Sequence, residues 1–164
     1  MADQHATEPA RILIRIEASG FPGRSCGPSP DQPGGYHNIH VGVQRRDRPG
    51  ELLGLQPGDA PAAVWELEAT ASPGAAGTDL RGPYISGRPG RRFIYLSWGA
   101  VDDTGTFTMF RRAKLDLSAV GPATLDAALC SGQLTGALQL TDARGNPVCA
   151  AIRAGQITWS APGA

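Results

Sequence analysis

The residues best suited to chemistry are a few histidines, one cysteine and a set of arginines. His37 and His40 stand in Tyr36-His-Asn-Ile-His40. Along a strand an i, i+3 pair points to opposite faces, so the two rings converge on one ion only if the strand begins at or after Asn38. A metal centre also needs third and fourth ligands. Cys26 and Asp31 lie upstream, but no spacing rule ties them in, so no metal site is predicted. His40, on the polar face of a strand, is the better candidate for acid–base work, because imidazole ordinarily titrates near neutrality. Cys26 sits in Arg24-Ser-Cys-Gly27, where a neighbouring cation favours the thiolate. A small enzyme without an organic cofactor would pair His40 with Asp59 or Cys26. The plainer reading is of solvated or hydrogen-bonded histidines and an ordinary thiol. Asp102-Asp-Thr-Gly105 lacks the later ligand positions of a calcium loop and reads as a turn. No GxGxxG, P-loop, GxSxG or HExxH occurs.

Arg111 carries more information. In an unbroken strand it shares a face with Phe107, Met109, Ala113, Leu115 and Leu117. A guanidinium among apolar groups needs a carboxylate or a bound anion to offset its desolvation. An internal salt bridge to Asp102, Asp103 or Glu66 would serve, as would a β-bulge that turns it outward. The functional alternative is an arginine that recognises carboxylate or phosphate. Arg45-Arg46, Arg91-Arg92 and Arg111-Arg112 form three basic pairs, each beside or within a predicted strand. With Arg81 and Tyr84 in a Gly- and Pro-rich stretch, they yield a candidate ligand-binding set: His40, Arg81, Tyr84, Arg92 and Arg111. Solvated charge is the plain reading of the arginine pairs.

Short strands must position these groups. Arg11–Glu17 alternates, with Ile12, Ile14 and Ile16 on one face. A second strand is predicted over 38–45, with Ile39, Val41 and Val43 inward. A third over 63–71 turns Trp65, Leu67 and Ala69 inward and Glu66, Glu68 and Thr70 outward. A fourth over 92–100 is apolar or aromatic on both faces and so belongs at the centre of a sheet. A fifth runs over 106–117. Residues 19–35, 47–61 and 72–90 are crowded with Gly and Pro and read as long loops. Leu52, Leu53 and Leu55 form a small apolar patch inside the second of them. Pro122, Gly132 and the pair Leu125/Leu129 predict one helix. Strands over 134–141, 148–153 and 156–160 follow, with a turn at 143–146. The expected fold is therefore all-β: a sandwich, or alternatively a barrel, of about eight mostly antiparallel strands with one short helix. Residues 1–10 read as a loose tail and 11–164 as a single β domain.

The chain has 164 residues, with Lys+Arg and Asp+Glu balanced at 15 each. That balance lacks the positive field that drives nucleic-acid or anionic-membrane binding. Aromatic residues are only 6% of the chain, too few to suggest a platform for stacked bases. Three cysteines without CxxC spacing fit neither a disulfide framework nor a zinc knuckle. The first ten residues carry no apolar signal segment, and no apolar run approaches the ~20 residues of a membrane span. A cytoplasmic setting with reduced thiols is expected.

Several stretches together resemble an uncharacterised family of high-GC bacteria, catalogued only as a domain of unknown function. They include Phe21-Pro-Gly-Arg24, Asn38-Ile-His-Val-Gly-Val-Gln44, Arg81-Gly-Pro-Tyr84, Arg92-Phe-Ile-Tyr-Leu-Ser-Trp-Gly99 and Phe110-Arg-Arg-Ala-Lys-Leu115. The resemblance spans about residues 12–159 and implies a stand-alone bacterial domain. It brings no activity, cofactor or catalytic residue. The expectation from the residues is a binding module for a small anionic ligand or a protein partner, with no cofactor. The small enzyme is the rival. A structural protein, including a homodimer built on the second face of the fourth strand, is a third reading.

Overall fold

In a computed structural model, residues 9–19, 39–48, 52–57, 62–74, 77–101, 104, 106–139 and 157–163 are described. Expectations for the first eight residues, the turns at 102–105 and 143–146 and the strand over 148–153 fall outside them, apart from Thr104. So do those for Cys26, Asp31, His37 and Asp59. The described residues form ten strands and one α-helix. The strands are β1 (Ala10–Ser19), β2 (Ile39–Gln44), β3 (Leu52–Pro57), β4 (Ala62–Gly74), β5 (Gly77–Arg81), β6 (Ser86–Arg88), β7 (Arg91–Val101), β8 (Phe107–Asp116), β9 (Gln133–Gln139) and β10 (Ile157–Ser160); the helix, α1, spans Pro122–Ser131. No helix among the described residues is long and apolar enough to cross a membrane.

Two sheets form. One runs β10-β9-β1-β4-β5; the other runs β3-β2-β7-β6, with β8 paired to β7. Every described pairing is antiparallel except β1 with β9. The fold is thus mostly β with one helix, as the alternation predicts. The sheets curl, so the sandwich and barrel descriptions both fit.

Alternation decides which face each strand buries. Ile12, Ile14 and Ile16 of β1 and Trp65, Leu67 and Ala69 of β4 lie in the core, while Glu66, Glu68 and Thr70 face solvent. From the second sheet, Val41, Val43, Ile94, Leu96 and Leu115 meet them. Each such aliphatic side chain contributes roughly 1.5–3 kcal/mol by leaving water. Trp65 also donates its indole N–H to the Gly54 carbonyl at 2.8 Å, tying β3 to β4. The helix behaves as its sequence signals require. Pro122 opens it, and Gly132 ends it in the left-handed region at φ 77°. Leu125 and Leu129 then rest on the core. The Gly132 carbonyl accepts the Leu13 N–H at 2.8 Å, so the helix end is fixed to β1.

Three stretches differ from expectation. Leu52–Pro57 is a strand paired with β2, not a loop patch. Within the supposed loop 72–90, Gly77–Arg81 and Ser86–Arg88 are strands. In β8 the register shifts where Arg111 opposes Trp98 and Met109 opposes Gly99. Phe110 is the extra residue of a bulge, so the two-residue period does not run unbroken from Phe107 to Leu117. The centre of the second sheet is β7, as predicted, flanked by β2 and β6 on one side and β8 on the other. Its second face is shielded by cations: Arg112 lies 4.2 Å from the Tyr95 ring centre and Lys114 4.0 Å from that of Phe93. The helix packs instead on β9, β1 and β10.

Candidate functional site

Strand β7 separates the predicted site residues into two groups. His40 opposes Gly99 across the β2–β7 ladder, and Arg111 opposes Trp98 across the β7–β8 ladder. Both therefore belong to one end of β7. Arg92 lies at the other end, opposite Gly87. Seven residue steps along the strand separate Arg92 from Gly99, about 23 Å at the usual rise. A small ligand does not span that distance. His40 is half-buried, and the Arg111 side chain lies outside the described residues. Tyr84 packs on the core beside a turn whose Pro83 carbonyl accepts the Arg46 N–H at 2.8 Å.

Arg81 and Arg92 do come together, on a residue the sequence reading passed over. Asp79 of β5 is almost fully buried and takes three hydrogen bonds. Arg92 Nε reaches Oδ1 at 2.9 Å and Arg92 Nη2 reaches Oδ2 at 3.0 Å, a bidentate clamp. Arg81 Nε reaches Oδ2 at 2.8 Å. Arg92 Nη1 donates onward to the Gly87 carbonyl at 2.6 Å. The Arg92 hydrogen bonds hold the Asp79 carboxyl below its ordinary value, burial opposes them, and Arg81 adds to the lowering. The Asp79 and Arg92 side chains are 8% and 14% exposed, so this pair joins the two sheets from inside. Arg92 is thus consumed by an internal ion pair. Arg81 differs: its side chain is 64% exposed, with its Nε held by Asp79.

Around Arg81 opens a groove of about 520 Å³. Its walls come from β1, β4, β5, the Gly82-Pro83 turn and the Gly132 helix end. The ladder register orders its polar groups. Arg11 opposes Thr70, and Thr70 opposes Arg81, so the three occupy one row across three strands. Two strand spacings put the outer Cα atoms about 10 Å apart. Long guanidinium side chains from those positions can close on a single anion above the Thr70 hydroxyl. Arg11 is exposed and has no ion-pair partner among the described residues. One row further along, Glu68 opposes Leu13. The groove therefore carries two guanidiniums and one carboxylate. Arg81 also borders a smaller hollow of about 280 Å³ with Ser72, Thr78 and Asp79.

The other basic groups have different roles. Arg45 is paired with Asp47 at 2.7 Å, and Arg15 with Glu17 at 2.7 Å and Glu66 at 3.3 Å. Glu66, considered above as a partner for Arg111, is thus engaged by Arg15. No group of three or more His, Cys, Asp or Glu suited to a metal occurs among the described residues. The exposed Cys130 is a free thiol on α1.

A curled two-sheet β fold with an arginine-lined groove on its first sheet is the class of protein these features define. Over residues 12–162 the chain matches the model of a family described as a family of unknown function, DUF5990, and it belongs to that family. No curated protein and no solved structure matches it significantly.

Proposed function

We propose that the protein is a binding module that takes a small anion into the groove between β1, β4 and β5. The observation that carries this reading is the row Arg11–Thr70–Arg81, two guanidiniums flanking a hydroxyl in one groove. Arg81 is pre-positioned, because Asp79 holds its Nε and is itself clamped by Arg92. Less side-chain freedom is then lost when a ligand arrives. A fork of donors suits carboxylate or phosphate better than a point charge does. The setting proposed for the module is the bacterial cytoplasm. Cysteine spacing without a disulfide framework and the resemblance noted above support it.

Calorimetric titration of the protein with inorganic phosphate and with small carboxylates, at low ionic strength, tests the reading. Arg11→Met and Arg81→Met should each weaken binding about tenfold, the loss of one charge-assisted contact. Arg11 makes no ion pair among the described residues, so its replacement should leave the unfolding midpoint unchanged. Unaltered affinity in both variants sinks the proposal.

A further inference from the structure

The groove holds a group that a simple anion would not use. Glu68 lines it one row from Thr70, exposed and without an ion pair among the described residues. Its neighbours on the same face behave differently. Arg15 opposes Glu66 in the next row of the ladder and closes on it at 3.3 Å. Arg11 and Glu68 are diagonal neighbours across the same two strands, yet no such pair is made between them. Opposite charges on diagonal positions ordinarily attract. Here the two make no ion pair, and both line one open groove. A purely anionic ligand held by Arg11 and Arg81 would feel repulsion from Glu68.

We propose that the ligand is dipolar. Its anionic head lies between Arg11 and Arg81, its cationic group lies at Glu68, and a short apolar link crosses Leu13 and Pro83. This rests on the anion-binding reading of the groove and specifies it. The strand geometry sets the length. Thr70 and Glu68 are two residues apart on β4, which is about 7 Å at the usual rise. The charges of an α-amino acid are held closer together than that. The matching class is an extended zwitterion, such as an ω-amino acid.

Two probes of equal chain length separate the possibilities: butyrate, an anion alone, and γ-aminobutyrate, the same anion with a terminal ammonium. Inorganic phosphate serves as the test of the anion site itself. The full chain is titrated with each, as wild type and as Glu68→Gln, an isosteric change at an exposed strand position. γ-Aminobutyrate should bind wild type about fivefold tighter than butyrate, the upper range for a partly exposed ion pair. Glu68→Gln should erase that difference by weakening γ-aminobutyrate while leaving butyrate binding equal or stronger. Equal binding of the two probes by wild type, unchanged in Glu68→Gln, overturns the dipolar ligand and leaves the anion site standing. If phosphate and butyrate also fail to bind, the anion site falls and the dipolar ligand falls with it.

Discussion

Asp79 shows how much one carboxylate can organise. Its ionised form receives three hydrogen bonds, two of them from Arg92 across the sheet-to-sheet gap. Asp79→Asn would leave the nearly buried Arg92 without its counter-charge. We expect a loss of about 3 kcal/mol in urea unfolding at neutral pH, the low end for breaking a buried pair. The pH dependence has a definite sign. The folded-state value lies below the ordinary 3.8, and an unfolded chain regains the ordinary one. The stabilisation is therefore complete above 3.8 and is lost as pH falls from there through the lowered value, because the unfolded chain binds the proton first. Wild type and Asp79→Asn should converge in stability as pH falls through that window. A gap that stays constant down the acid range would contradict the assignment. None of this was legible at the residue level. Asp79 and Arg81 alternate with Leu80, a strand signature, but the surrounding Gly and Pro residues suggested a loop. Arg92 reads from the sequence as a ligand-binding group, and the buried Asp79 that occupies it gives no local signal of that pairing.

At the scale of elements, legibility follows length and context. The long strands β1, β4 and β7 and the helix announce themselves, because their periodic patterns last for several residues and their ends carry Pro and Gly signals. The short strands β5 and β6 do not. Five and three residues offer too little alternation, and pairing with β4 and β7 makes them strands. A bulge that turns Arg111 outward is one of the readings its sequence allows, but only partner register places the extra residue at Phe110. A similar dependence on partners governs the β9–β10 pair. Gly136 opposes Trp159, and a Cβ at Gly136 would lie 2.7 Å from the indole ring. That ring donates its N–H to the Asp116 carbonyl at 3.1 Å, linking the first sheet to the end of β8. Gly136→Ala should force the ring aside and cost about 1–3 kcal/mol, the range for overpacking. Trp159→Phe should cost about 1 kcal/mol for the missing hydrogen bond. If the indole is the cause, the two substitutions combined should fall short of their sum in chemical denaturation. Full additivity would separate Gly136 from Trp159.

Over the whole molecule, the chain visits the second sheet between β1 and β4 and again between β5 and β9. The parallel β1–β9 pairing then joins residues about 120 positions apart, Leu13 with Gln133. Contacts at such separations must be closed against loop entropy, so folding should take milliseconds to seconds. Stopped-flow refolding followed by tryptophan fluorescence would show it, since Trp65 is buried in the core. A microsecond phase carrying the full amplitude would count against this topology. The all-β class was readable from the sequence because alternation and turn residues are local signals. The groove was not. Arg11, Thr70 and Arg81 become neighbours only through the registers of two ladders, which no single segment encodes.

The arrangement of β1, β9 and β10 also decides how the molecule meets force. β9 runs with β1 and β10 runs against both, so Ala10 and Ser160 leave the first sheet toward the same edge. Tension applied between those two residues pulls across the strands rather than along them. Their hydrogen bonds are loaded singly, from that edge inward, so the sheet peels apart instead of shearing.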